Sequence, residues 1–108
     1  MLAGNLANSL IALNQFAEAK SFLHQTIRTA VGSVGPNHVG VLRLRKQLGW
    51  VYLEEAASLE DLVEAEKMMA DVYAKYRRVC GPSHPDTAKA QGLLGDLREA
   101  IARAKTSK

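Results

Sequence analysis

Gly81-Pro82-Ser83-His84-Pro85-Asp86 has an earlier echo at Gly35-Pro36-Asn37-His38, 46 residues upstream. Other landmarks keep that offset: Glu18-Ala19 returns as Glu64-Ala65, Thr26 as Val72 and Ile27 as Tyr73. A fixed period of a few tens of residues is the signature of a stacked repeat, in which each supersecondary unit buries its apolar face only against its neighbours. Each Gly-Pro ends a helix, because Gly tolerates the left-handed cap and Pro cannot continue the hydrogen-bond ladder. The residues just beyond start another. Asn37 is a good N-cap there, and Ser83 with Asp86 three residues on is close to a capping box.

Outward from the two turns, apolar residues recur at three- and four-residue spacing, the period of amphipathic helices. Leu2, Ala3, Leu6, Ala7, Leu10 and Leu13 mark a first helix over residues 2–14, with Asn14-Gln15 as a short turn. Ala19, Phe22, Leu23, Ile27 and Ala30 mark a second, from Phe16 to about Ala30, before the chain breaks over Gly32 to Gly35. Two helices joined by so short a turn pack antiparallel. A third, from about Asn37 to Leu53, turns Val41, Leu44, Leu48, Val51 and Tyr52 inward. Ser58 is placed to cap a fourth, running to about Val79 with Leu62, Ala65, Met69, Val72, Tyr73 and Tyr76 inside. The fifth, from Pro85 to about Ala104, buries Ala90, Leu94, Leu97 and Ile101. Its Arg98, Glu99, Arg103 and Lys105 suit the solvated outer face of a terminal cap, and Thr106-Ser107-Lys108 should fray.

The two repeats differ in one place. Leu10 to Ala19 spans 9 residues, whereas the equivalent Tyr52 to Ala65 spans 13. The four extra residues fall within the acidic segment Glu54 to Asp61; Leu6 to Leu48 shows the underlying period of 42 directly. Small residues stand where first helices must approach a neighbour: Ala7, Gly49 and Gly95, with Ala19 and Ala65 in the second helices. A helical Gly costs about 1 kcal/mol relative to Ala, so Gly49 and Gly95 at matching positions suggest close packing. Compared with the second unit, the first helix would begin about four residues before Met1, which leads us to expect a chain that starts inside a longer array.

Size and composition agree with one helical domain. The chain has 108 residues, 47% of them hydrophobic, and its three prolines all lie in the two Gly-Pro turns. No apolar run approaches the roughly 18 residues of a membrane span, and no leader-type segment argues for secretion. A soluble, reducing, cytoplasmic setting is therefore expected. Cys80 is the one cysteine, so neither an internal disulfide nor a multi-cysteine zinc site can form. The net charge of +3 permits acidic partners without requiring them.

These residues resemble the tetratricopeptide repeat, in the long-period form found in kinesin light chains. The first unit offers Leu6-Ala7, Glu18-Ala19 and Gly35-Pro36-Asn37-His38. The second offers Leu48-Gly49, Val51-Tyr52, Glu64-Ala65 and Gly81-Pro82-Ser83-His84-Pro85-Asp86, and a third keeps only Leu94-Gly95. Similar arrays occur beside MYND-type zinc fingers and in methyltransferase C-terminal domains, but neither chemistry has its residues here. The resemblance implies an all-α, right-handed superhelical stack of about five helices. Repeat one would span about residues 1–36 and repeat two about 37–82, with the insertion in 54–61, followed by a terminal helix over about 85–104. It implies a non-catalytic scaffold or adaptor that holds a protein or peptide segment in its concave groove.

The first helix of each unit lines that groove in the family. Carried over, the groove positions are Asn5 and Asn8 in the first unit, Arg43, Lys46, Gln47 and Trp50 in the second, and Lys89, Leu93 and Asp96 at the end. Asn5 matches the asparagine with which kinesin-type repeats grip a peptide backbone, a task suited to an amide that both donates and accepts. Asn8, Gln47 and Lys89 loosely resemble the carboxylate clamp of chaperone-binding repeats, although Gly4 and Leu93 stand where that clamp wants cations. Arg43, Lys46 and Lys89 would favour acidic peptides or a free carboxylate, against the plainer alternative of a solvated face. Trp50 is either a stacking anchor or packing for the insertion.

The residues speak against an enzyme, a cofactor, a metal or a small-molecule substrate. His38 and His84 occupy equivalent turns, where a helix-start role explains them, and His24 should lie on the surface. Cys80 sits at a helix C-terminus, where the dipole disfavours a thiolate. There is no phosphate-binding glycine loop or metal-spaced cluster. Met68-Met69 reads as core and surface of one helix. Two alternatives stay open. One is a structural role, with the chain stacking end to end on itself or on further repeats. The other, more remote, is nucleic-acid binding through Arg43, Arg45, Lys46, Arg77 and Arg78, which lack interleaved aromatics.

Overall fold

A computed structural model describes residues 15–55 and 58–106 of the chain. Among them lie four helices and no strand: α1 (Phe16–Val34), α2 (Val39–Glu55), α3 (Leu59–Cys80) and α4 (Pro85–Thr106). The helix expected over residues 2–14, which would make five, falls outside the described residues, as do Asn5 and Asn8.

The two Gly-Pro turns end helices as their chemistry demands. Gly35 and Gly81 have φ of 88° and 90°, a region L side chains rarely enter. Each donates its N–H to a carbonyl four residues back, Gly35 to Val31 and Gly81 to Arg77. Helix α1 runs on through Gly32 to Val34, beyond the expected end near Ala30. A Gly in ordinary helical conformation only weakens a helix, and it is the positive φ of Gly35 that stops this one. The other helices likewise run one or two residues past their expected ends, to Glu55, Cys80 and Thr106.

Helix starts bring a correction. Neither Asn37 nor the Ser83/Asp86 pair caps its helix. His38 Nδ1 accepts from the Gly40 N–H at 3.0 Å, and His84 Nδ1 accepts from the Asp86 N–H at 3.1 Å. The imidazole thus satisfies one of the orphan N–H groups that a helix leaves at its first turn. Thr87 adds a second tie, its hydroxyl donating to the Gly81 carbonyl at 2.8 Å from a side chain that is almost fully buried. Ser58 does cap α3, accepting from the Asp61 N–H at 3.3 Å. Glu60 and Asp61 then lie in the first turn of α3 and Arg77 and Arg78 in its last, charges that complement the helix dipole.

Ion pairs and packing give the helix directions. Arg45 meets Asp71 while Gly49, farther along α2, meets Met69, so α2 and α3 are antiparallel. Arg98 in the second half of α4 reaches Glu66 near the start of α3, so α3 and α4 are antiparallel and α2 runs parallel to α4. Lys20 near the start of α1 pairs at 2.7 Å with Glu55 at the end of α2, which ties the acidic segment back onto the first unit.

Helix α2 carries two apolar faces. Leu44, Leu48 and Val51 join Ala19 and Leu23 of α1 in one cluster. Leu42 enters a larger one with Leu62, Ala65, Met69, Val72 and Tyr76 of α3 and Ala90, Leu94, Leu97 and Ile101 of α4. A helix buried on both sides is what a stacked array needs, since each unit must cover the next. Fully burying a leucine such as Leu42, which α2 shows and the spacing did not single out, contributes roughly 1.5–3 kcal/mol. Of the expected α1 face only Ala19 and Leu23 are fully buried, with Phe22, Ile27 and Ala30 packed at the margin.

The matched glycines part company. A Cβ on Gly49 would collide with the methyl end of Met69, so α2 and α3 do approach there as expected. At Gly95 an added Cβ would meet no other packed group of the described residues within 4 Å, which overturns the expectation of close packing among them. No helix among the described residues follows α4 to cover it.

Candidate functional site

Parallel α2 and α4 leave a groove between them. In it lies an open pocket of about 360 Å³ lined by Lys46, Gln47 and Trp50 from α2 and Lys89, Gly92, Leu93 and Asp96 from α4. The structure therefore gathers six of the nine residues singled out as groove positions around one depression. Arg43 stands one turn before Lys46 on α2, its side chain 53% exposed.

The groove's charge differs from what the sequence suggested. Asp86, in the first turn of α4, reaches across to α2 and takes both cations there. Arg43 donates through Nε and Nη2 to Oδ2 at 3.3 and 3.2 Å, and Lys46 Nζ donates to Oδ1 at 3.3 Å. Burial alone would push the Asp86 carboxyl up. The charge and hydrogen bond of Lys46, joined by those of Arg43, outweigh it and hold the group below the ordinary aspartate range. Two of the three basic groove residues thus share one carboxylate from within the fold, and the cluster keeps a single net positive charge. Lys89 and Asp96, both exposed on α4, make no ion pair with another described residue.

Beneath this cluster lies Tyr76 of α3, fully buried, with Lys46 Nζ 5.6 Å from its ring centre. Burial pushes its hydroxyl well above the ordinary tyrosine range, and the negative charge of Asp86 adds to the rise. Arg43 is near enough to oppose that rise, yet the hydroxyl makes no hydrogen bond within normal geometry to any described residue.

A tetratricopeptide-repeat family model matches the chain over residues 1–40 and again over 41–86. The chain belongs to the tetratricopeptide-repeat family. No curated protein and no solved structure matches it. Tetratricopeptide repeats generally mediate protein–protein interaction as non-catalytic modules, and the all-helical architecture of this one accords with that role. Among the described residues no three His, Cys, Asp or Glu side chains are grouped to hold a metal ion. No described helix is long and apolar enough to cross a membrane. His38 and His84 are engaged as helix caps.

Within this tetratricopeptide-repeat groove two contributors escaped sequence reasoning. Asp86 reads in sequence as part of a junction motif, and only the closeness of α4 to α2 turns it into the partner of Arg43 and Lys46. Gly92 reads as an ordinary helical glycine; with nothing within 4 Å of where its Cβ would be, it opens the pocket wall beside Trp50. Of the basic residues considered for nucleic acid, Arg43 and Lys46 hold Asp86, Arg45 lies 3.9 Å from Asp71, and Arg77 and Arg78 lie in the last turn of α3.

Proposed function

We propose that this tetratricopeptide-repeat chain is a scaffold or adaptor module that binds an extended segment of a partner protein in the groove between α2 and α4. The reading is carried by one observation: half-buried Trp50 faces an open pocket whose other wall is α4, so a ligand there touches two successive units. Aromatic anchors beside polar side chains dominate binding energy at such sites. Asn5 and Asn8 would extend the groove upstream, and Arg43 lies at its rim. The same reading takes the helices as part of a right-handed superhelix of kinesin-light-chain-like repeats, divided at about residues 36 and 82, in a cytoplasmic protein.

The test is selection from a random peptide library, with wild type and Trp50→Ala compared after circular dichroism shows both equally helical. Peptides enriched by wild type and lost in the variant support the groove. Enrichment that survives Trp50→Ala moves the site elsewhere and overturns the reading.

A second reading rests on Gly95. Its counterpart Gly49 is covered by α3, whereas Gly95 is bare, so the outer face of α4 could receive a helix of another chain in end-to-end association. Sedimentation that stays monomeric across a hundredfold range of concentration would dispose of it.

A further inference from the structure

We infer that the groove selects an extended segment carrying an acidic, an apolar and a basic residue at alternate positions, rather than a uniformly acidic one. This rests on the groove being a peptide site, and it follows from which of its charges are left over.

Arg43 and Lys46 share the Asp86 carboxylate, so part of their charge is already met within the fold and a further carboxylate gains less there than at an unpaired cation. Lys89 is the groove cation without such a partner among the described residues, and Asp96 is the anion without one. Both sit on α4, seven residues apart. Seven residues are almost two full turns, so the two side chains share one face at an axial spacing of about 10.5 Å. A ligand lying along α4 therefore meets a positive charge at one end and a negative charge at the other.

The stretch between is apolar and hollow. Asp86 stands beside Arg43 and Lys46, which fixes how α4 is offset along α2. Counting forward from that contact along the two parallel helices brings Trp50 level with Gly92. There the missing side chain leaves the pocket open, with Leu93 beside it. A side chain entering between the two charges would rest on the Trp50 indole and Leu93.

An extended chain turns every second side chain to the same face, about 6.6 Å apart at a rise of roughly 3.3 Å per residue. Three successive same-face residues span about 13 Å. That matches the spacing of Lys89 and Asp96 once the reach of a long lysine side chain is included. The first ligand residue pairs with Lys89, the second fills the pocket and the third pairs with Asp96. A uniformly acidic segment would set a carboxylate against Asp96, and a uniformly basic one an ammonium against Lys89. Like-charge contacts of this kind are what suppress wrong partners at interfaces.

The experiment uses fluorescently labelled nine-residue peptides with leucine at the centre. The residues two places either side of it are glutamate and lysine, both glutamate, both lysine, or both glutamine. Binding to the full chain is followed by anisotropy and by the emission of Trp50. The mixed peptide should bind wild type at least about fivefold more tightly than the other three. Lys89→Glu should shift preference to the all-lysine peptide and Asp96→Lys to the all-glutamate one. Gly92→Leu fills the pocket while replacing an exposed helical glycine, so it should lose all four peptides without losing thermal stability. Binding of all four within twofold, with Trp50 responding, overturns the charge pattern but leaves a peptide groove. Binding that Gly92→Leu and Trp50→Ala leave untouched overturns both.

Discussion

Lys46 Nζ lies 3.3 Å from Asp86 Oδ1, so the first turn of α4 is pinned to the middle of α2. Both side chains are largely buried, at 15% and 13% exposure, and the contact joins residues 40 positions apart in the chain. It closes one end of the groove and sets the offset between the two units. One carboxylate thereby acts on both the fold and the site.

Removing that carboxylate has a predictable cost. Asp86→Asn leaves the His84 cap in place but strips Lys46 of its counter-charge in a mostly buried position, and should lower stability by about 1–3 kcal/mol. The pH dependence has a definite sign. The folded-state pKa of Asp86 is lowered, so the native state binds fewer protons there than the unfolded chain. The contribution is complete above about pH 4 and disappears as pH falls through the folded value. Urea titrations of wild type and Asp86→Asn should therefore differ by a constant amount near neutrality and converge in acid. Parallel curves down to pH 2 would show that the ion pairs do not form in solution.

The two histidine caps yield a second prediction. His38→Ala and His84→Ala should each lower stability by about 0.5–2 kcal/mol, the usual loss for removing an N-cap acceptor. His84→Asn should restore much of it, because an asparagine oxygen can accept the same N–H. Thermal melts of the three variants decide this. A melting temperature unchanged in His84→Ala would mean that the imidazole is not needed to start α4, and would reopen a binding role for it.

What the sequence disclosed follows from what is local. The period, the positive-φ glycines and the alternation of apolar positions are all properties of a residue and its near neighbours, and they delivered the four described helices and most of the described core. Leu42 escaped because α2 is apolar on two faces, so a single-stripe pattern finds the Leu44–Leu48–Val51 side and passes over the other. The capping histidines were misplaced by one residue, because Asn37 and Ser83 are better caps by propensity and only the turn geometry favours the neighbour. Six of the positions that the family resemblance implied, Lys46, Gln47, Trp50, Lys89, Leu93 and Asp96, line one pocket. The ion pairs beside it were not legible, because Asp86 meets Arg43 and Lys46 across 43 and 40 residues of sequence.

The matched glycines give the last prediction, since identical sequence logic leads there to opposite outcomes. Gly49 and Gly95 are both helical, and replacing either by Ala recovers up to about 1 kcal/mol of helix propensity. At Gly95 that gain stands alone, because nothing lies within 4 Å of the new methyl group. Gly95→Ala should stabilise the chain by about 0.5–1 kcal/mol. At Gly49 the methyl runs into the tip of Met69, a fully buried side chain with little room to retreat. Overpacking of this kind costs typically about 1–3 kcal/mol, so Gly49→Ala should be destabilising by roughly 1 kcal/mol after the propensity gain is deducted. Paired urea midpoints measure both effects at once. Equal gains at the two sites would mean that Met69 yields freely and that α2 and α3 do not depend on a glycine there. A gain at Gly95 that vanishes as protein concentration rises would instead reveal that another copy of the chain covers the outer face of α4, where the added methyl then obstructs it.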